Sequence, residues 1–239
     1  MKNRMMLIPI VSYSAAFFFI STYISNELTP SFNMSIISRF FYIMTTCVLL
    51  YFGSFILCKI NTRKQEIIMH RTFQCFFVLY ITLLITFTFL EPVYGRYYSG
   101  LAIEYQTLKS YLEINTNLIP FKTILLYWNG YIYGVVSLSD YLLNMLGNVI
   151  LLMPTALFFP VFYKRVRKPS SFIIDIFIFA FSIEFLQLLT MCGSFDIDDI
   201  LLNVLGAVFV FYILKNVVVD KFMRRISFGV ISIKENRHD

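Results

Sequence analysis

Six stretches of this chain are long and apolar enough to cross a membrane: Met5–Ser25, Phe40–Cys58, Thr72–Leu90, Tyr141–Tyr163, Phe172–Cys192 and Ile200–Val219. The first four hold no Asp, Glu, Lys or Arg over 19 to 23 residues, and a spanning helix needs about 20 apolar residues. The fifth carries Asp175 and Glu184, and the sixth is charge-free except for Lys215. Hydrophobic residues make up 58% of the chain and charged residues 14%, a balance no water-soluble single domain needs. The expected fold class is an all-α integral membrane protein with six transmembrane helices.

Basic residues set the expected orientation. With the amino terminus in the cytoplasm, the inner segments hold Lys2 and Arg4, four basic residues between Lys59 and Arg71, four in Lys164–Lys168 and six from Lys215 onward. Only Arg39, Arg96, Lys109 and Lys122 fall outside. This positive-inside bias places both termini in the cytoplasm. The net charge of +6 is thereby explained by topology. The basic residues sit in four juxtamembrane clusters and not on one soluble face, which argues against a nucleic-acid partner. Met5–Ser25 follows a short basic start, as a secretory signal does, but it is too long for a signal core and lacks a small-residue cleavage site, so it reads as a retained helix.

Three segments follow from this topology. Residues 1–71 form an N-terminal transmembrane hairpin with its cytoplasmic loop, residues 72–219 a four-helix membrane domain, and residues 220–239 a basic cytoplasmic tail that meets anionic lipid at most. Cys47, Cys58, Cys75 and Cys192 suggest neither a disulfide framework nor a cysteine metal site. His70 and His238 both fall in inner segments, which removes histidine-dependent zinc and Ser–His chemistry from the outer half.

One connection is long. Residues 91–140 hold eight of the sixteen tyrosines and the only tryptophan, Trp128, residues that favour the headgroup level of a bilayer. Phe121–Val136 is apolar but broken by Gly130 and Gly134. It reads as an interfacial or re-entrant segment, because a seventh crossing would put Lys164–Lys168 outside.

Polar residues gather at the outer ends of the last three spans. Asn144 and Asn148 are four residues apart and share a helix face. Glu184 lies nine residues before Gly193, roughly 13 Å along the helix, with Gln187 on the same side. Asp199, Asn203 and Gly206 follow within a narrow sector of the last span. A charged side chain in lipid costs about 2.5–3.5 kcal/mol, so these groups are expected to face one another or a pocket open to the outside. Each has a plainer role to set beside that: Asn144 and Asn148 as interhelical hydrogen-bond partners, and Asp196, Asp198 and Asp199 as N-cap and first-turn acids of the last span. For Asp175 it is an ion pair with Lys164–Lys168, for Pro154 a kink in the fourth span, and for Gly206 close packing. Glu184, Asp196 and Asp199, with Asn203, are also hard oxygen donors, and the cofactor such ligands would take is a Mg²⁺ or Ca²⁺ ion.

The order Asn144-x-x-Gly147-Asn148 with Pro154, then Glu184-x-x-Gln187, then Asp196-x-x-Asp199-x-x-x-Asn203-x-x-Gly206 resembles the VanZ-like family of bacterial membrane proteins. Asn117-Leu-Ile-Pro120-Phe121 resembles that family's N-L-x-P-F element ahead of the same helices. The resemblance covers about Thr72 to Lys215. In one place the chain departs from it: where family members carry an arginine shortly before the first aspartate, this chain has Ser194.

The resemblance implies a multi-pass protein of the bacterial cell membrane associated with tolerance of glycopeptide antibiotics, notably teicoplanin. The reading it supports is a non-enzymatic protein that binds an amphipathic or lipid-linked ligand, a cell-wall precursor or lipoglycopeptide among membrane lipids. Asn117, Asn144, Asn148, Glu184, Gln187, Asp196, Asp199 and Asn203 are the candidate site. The alternative is a membrane-embedded, divalent-metal-dependent enzyme that modifies an envelope lipid or lipid-linked precursor.

Overall fold

The computed structural model describes residues 2–29, 34–90, 108–231 and 233. Six helical spans among them are long and apolar enough to cross a membrane: Met5–Glu27, Ile36–Ile60, Thr62–Phe89, Leu138–Phe162, Pro169–Leu189 and Ile197–Leu214. They coincide with the six apolar runs, most ends shifted by up to five residues, while the third begins ten residues earlier, at Thr62 in place of Thr72. Ser35 moves the second start outward, because its hydroxyl accepts the Ser38 N–H and caps the helix. The first part of the long connection, residues 91–107, lies outside the described residues.

The chain divides into two compact units. In residues 1–83 with 222–231, α1 (Lys2–Glu27) and α2 (Ile36–Ile60) form an antiparallel pair. Ser12 donates to the Leu49 carbonyl at 2.6 Å, and Tyr13 shares a 2.9 Å hydrogen bond with Ser54. Gly53 permits that approach: a Cβ there would stand 3.0 Å from the Tyr13 ring. Arg39, at the opening of α2, is buried and paired with Glu27 at 2.6 Å. Most of α3 (Gln65–Ile85) belongs to this unit, with Thr72 donating to Ser54 at 2.6 Å.

The second unit, residues 84–221 with 232–239, carries the candidate site. It begins with the end of α3 and the π-helical turn Thr86–Leu90. Next come α4 (Leu108–Ile114), the two-residue strand β1 (Thr116–Asn117) and α5 (Lys122–Ile132). The 11 residues of α5 reach about 16 Å, too short to cross a bilayer, as expected for Phe121–Val136. The fourth span is two helices, α6 (Leu138–Leu151) and α7 (Thr155–Phe162). The break falls at Pro154, whose ring nitrogen has no hydrogen to donate to the carbonyl four residues back, and beyond it the Thr155 hydroxyl and N–H both bond the Leu152 carbonyl. Then follow α8 (Pro169–Leu189), strand β2 (Phe195–Asp196) and α9 (Ile197–Leu214).

Two contacts hold the packing of this unit. Gly206 of α9 lies so close to α6 that a Cβ on it would stand 1.8 Å from the Val149 carbonyl oxygen. The close-packing role expected for this glycine is therefore met by backbone, which cannot move aside as a side chain can. At the other end of α9 the Phe211 ring stacks on Phe172 of α8 at 4.3 Å, both fully buried. The helix α10 (Val217–Ile226) follows α9.

Candidate functional site

The site is assembled where α8 ends and α9 begins. After Thr190 the chain reverses through Met191 in the left-handed region (φ 53°). The Cys192 N–H then bonds the Gln187 carbonyl at 3.0 Å and the Met191 N–H the Leu188 carbonyl at 3.2 Å, the paired closure of a Schellman turn. The reversal folds residues 192–196 back against α8. Gly193 lies on Gln187, where a Cβ would be 3.4 Å from that side chain. The buried Glu184 carboxylate accepts the Asp196 N–H at 3.2 Å.

Strand β2 then meets β1 in parallel register, Thr116 against Phe195 and Asn117 against Asp196. This bridge brings the N-L-I-P-F element onto the D-I-D-D element. Asn117 donates from Nδ2 to both Asp196 and Thr123, each at 3.0 Å, and its Oδ1 accepts the Ile119 N–H. The Thr123 hydroxyl donates to the second Asp196 oxygen. Asp196 also caps α9, accepting the Asp198 N–H at 2.9 Å. Nearby, the buried Tyr111 hydroxyl donates to the Gly193 carbonyl.

Asp198 behaves differently from expectation. It stands in the first turn of α9, as the sequence suggested, but its carboxylate serves another helix. Completely buried, it accepts the N–H groups of Phe121, Thr123 and Ile124 at the start of α5. Phe121 holds φ 66°, a left-handed conformation that is a genuine outlier for a bulky side chain. That turn aims three N–H groups at one point, a concavity suited to an anion, and Asp198 fills it.

Of the remaining predicted residues, Asn148 crosses from α6 to α9 and donates to the Asp199 carboxylate. Asn203 is buried. Its Nδ2 bonds the Asp199 carbonyl at 2.9 Å, while its Oδ1 makes no hydrogen bond among the described residues. Gln187, also buried, reaches the Thr88 carbonyl in the π-helical turn at 2.9 Å and so ties α8 to the end of the third span. Asn144, half-buried, bonds the Asp140 carbonyl of its own helix at 2.8 Å. It is not joined by hydrogen bond to Glu184, Asp199 or Asn203 among the described residues.

No group of three or more His, Cys, Asp and Glu among the described residues is placed to hold a metal ion. The Asp196 oxygens are engaged by Asn117, Thr123 and the Asp198 N–H, and Glu184 by a backbone donor.

Three residues at this end were not among the candidates. Thr123 and Asp198 hold α5 in place, and Tyr127, half-buried on α5, faces the acids. Burial, then the carboxylates of Asp199, Asp140 and Asp196, push its phenol above the ordinary value. A signal for Asp198 was present in its place between two acids already singled out. The signal for Thr123 was its position two residues after Phe121, where the first turn of a capped helix begins. Beside Tyr127, the rings of Trp128, Tyr131 and Tyr141 pack on one another, Tyr131 and Tyr141 stacked at 5.8 Å.

The sequence model of the VanZ/LLP1 family matches residues 77–219, more than half of the chain and every site residue described above. No curated protein and no solved structure matches the chain.

Proposed function

The chain belongs to the VanZ/LLP1 family, and on that premise we propose that it is a bacterial cell-envelope protein that lowers the effect of glycopeptide antibiotics such as teicoplanin. It does so by binding an amphipathic or lipid-linked ligand where α6, α8 and α9 meet. In this reading the acidic end faces the cell exterior and both termini face the cytoplasm. The positive-inside bias supports that orientation.

The observation that carries the reading is a pair of hydrogen-bonded groups at this end of the unit, Asn117 and Glu184 around Asp196, and Asn148 and Asn203 around Asp199. A membrane protein gains little stability from such contacts, about 0.6 kcal/mol each. The Asn203 Oδ1, buried and without a partner among the described residues, is a liability of about 1–3 kcal/mol. Groups left in that condition call for an explanation beyond packing, and a ligand donor supplies one. The cluster of Trp128, Tyr131 and Tyr141 gives an amphipathic ligand an aromatic surface beside it.

The test is expression in a susceptible bacterium. Wild type should raise teicoplanin tolerance, while Glu184→Gln and Asp199→Asn, present at equal membrane abundance, should lose most of it with envelope composition unchanged. Full tolerance in both variants would reject the reading. A cysteine at Asn148 should react with an impermeant reagent supplied outside the cell and not with one confined to the cytoplasm.

A further inference from the structure

At the end of the second unit opposite the acidic cluster, the turn between α7 and α8 borders an open cavity of about 460 Å³. Phe159, Phe162, Tyr163, Lys164, Arg165 and Asp175 line it. Its makeup is two-sided. Phe159, Phe162 and Tyr163 supply ring faces, with Phe159 held edge-on to Phe179 at 5.6 Å. Lys164 and Arg165 supply charge at the mouth, both exposed, the Arg165 side chain 73% so.

Arg165 places one guanidinium nitrogen 2.7 Å from each Asp175 oxygen. Lys164 makes no ion pair or hydrogen bond among the described residues. Two cations against one carboxylate leave the lining with one positive charge in excess. The volume falls within the roughly 300–1,000 Å³ of small-molecule sites. It is enough for a headgroup and the start of its glycerol chain, not for a whole lipid.

The position decides the ligand class. The cavity lies where the apolar span Leu138–Phe162 ends and Pro169–Leu189 begins, the level at which lipid headgroups meet protein. We propose that this cavity binds the phosphate headgroup of an acidic phospholipid. Lys164 is the primary contact, Arg165 is shared between the phosphate and Asp175, and the glycerol end lies against Phe159, Phe162 and Tyr163. Arginine suits this sharing because its planar fork can hold a carboxylate and a phosphate oxygen at once. Asp175 then acts as a competitor that keeps Arg165 in place when no lipid is bound. This site is independent of the ligand reading at the acidic end.

The test uses the full chain purified in a neutral detergent, with thermal unfolding and native mass spectrometry as readouts. Phosphatidylglycerol should stabilise wild type and remain bound, and phosphatidylcholine at the same molar ratio should do neither. Lys164→Gln with Arg165→Gln should weaken phosphatidylglycerol binding roughly thirtyfold, from about 1 kcal/mol per basic residue at a membrane surface. Lys164→Arg should restore most of it when Arg165 is intact, and Asp175→Asn should tighten binding several-fold. Equal binding of both lipids, or undiminished phosphatidylglycerol binding in the double variant, would overturn the proposal. Saturation of the wild-type response by millimolar inorganic phosphate alone would assign the cavity to a free anion and overturn the lipid source.

Discussion

The two ends of the second unit handle charge in opposite ways. At one end carboxylates are buried: Asp198 is fully enclosed and its oxygens are met by backbone N–H groups of α5. At the other end charge stays at the surface: the Arg165 side chain is 73% exposed, and the Lys215 ammonium bonds the Arg167 carbonyl at 3.0 Å. A buried charge is tolerated only with hydrogen-bond partners in place, so the acidic end has to be ordered, whereas the basic end can exchange its partners. The contrast teaches that one end is built to hold a shape and the other to stay available.

The comparison can be broken most decisively at Asp198. Asp198→Ala orphans three N–H groups at once, and the loss should reach on the order of 4 kcal/mol. Thermal unfolding measures it, with faster amide exchange at Phe121, Thr123 and Ile124 as its local sign. A cost no greater than that of Asp175→Ala would end the claim that the two ends differ.

Gly206→Ala should come next, at about 3 kcal/mol, because the new Cβ meets the Val149 backbone and not a yielding side chain. A normal unfolding midpoint would show that α6 and α9 can separate freely, against the ordered character assigned to this end.

Asp175→Ala, by comparison, should cost under about 1 kcal/mol, since an exposed pair with Arg165 is screened by solvent. A larger loss would mean that the basic end is also a structural anchor.

The smallest effect concerns pH. The Tyr127 phenol is raised above 10 by burial and by acids, so the unfolded chain releases this proton first as pH climbs. Its contribution to stability is complete below about pH 10 and declines above it. Tyr127→Phe should flatten that part of the alkaline loss and remove one late-ionising phenol from the absorbance titration. An unchanged titration would place Tyr127 away from Asp199, Asp140 and Asp196.

Much of the site was legible because membrane helices restrict what a residue can do. Glu184, Asn148 and Asp199 stood out through the cost of polar atoms in lipid, and helical periodicity aligned them. Asp196 as the cap of α9, the pairing of Asp175 and the break at Pro154 followed from local rules of charge and backbone geometry. Asp198 was misjudged in part because its own helix offered a sufficient reason for an acid there. Gln187 and Asn144 share faces with site residues, yet their amides bond the Thr88 and Asp140 carbonyls. A helical face sets a direction, not a partner.

Hydrophobicity and charge along the chain alone determined the six spans, and the order of its polar motifs the membership of the family, because each depends on residues within one segment. Only the tertiary structure decided that residues 115–124 dock on residues 195–198. That docking depends on a left-handed Phe121, a chain reversal at Met191 and a two-residue parallel bridge. None of these has a periodic signature, and each is stable only when the other strand or carboxylate is already there to satisfy its backbone.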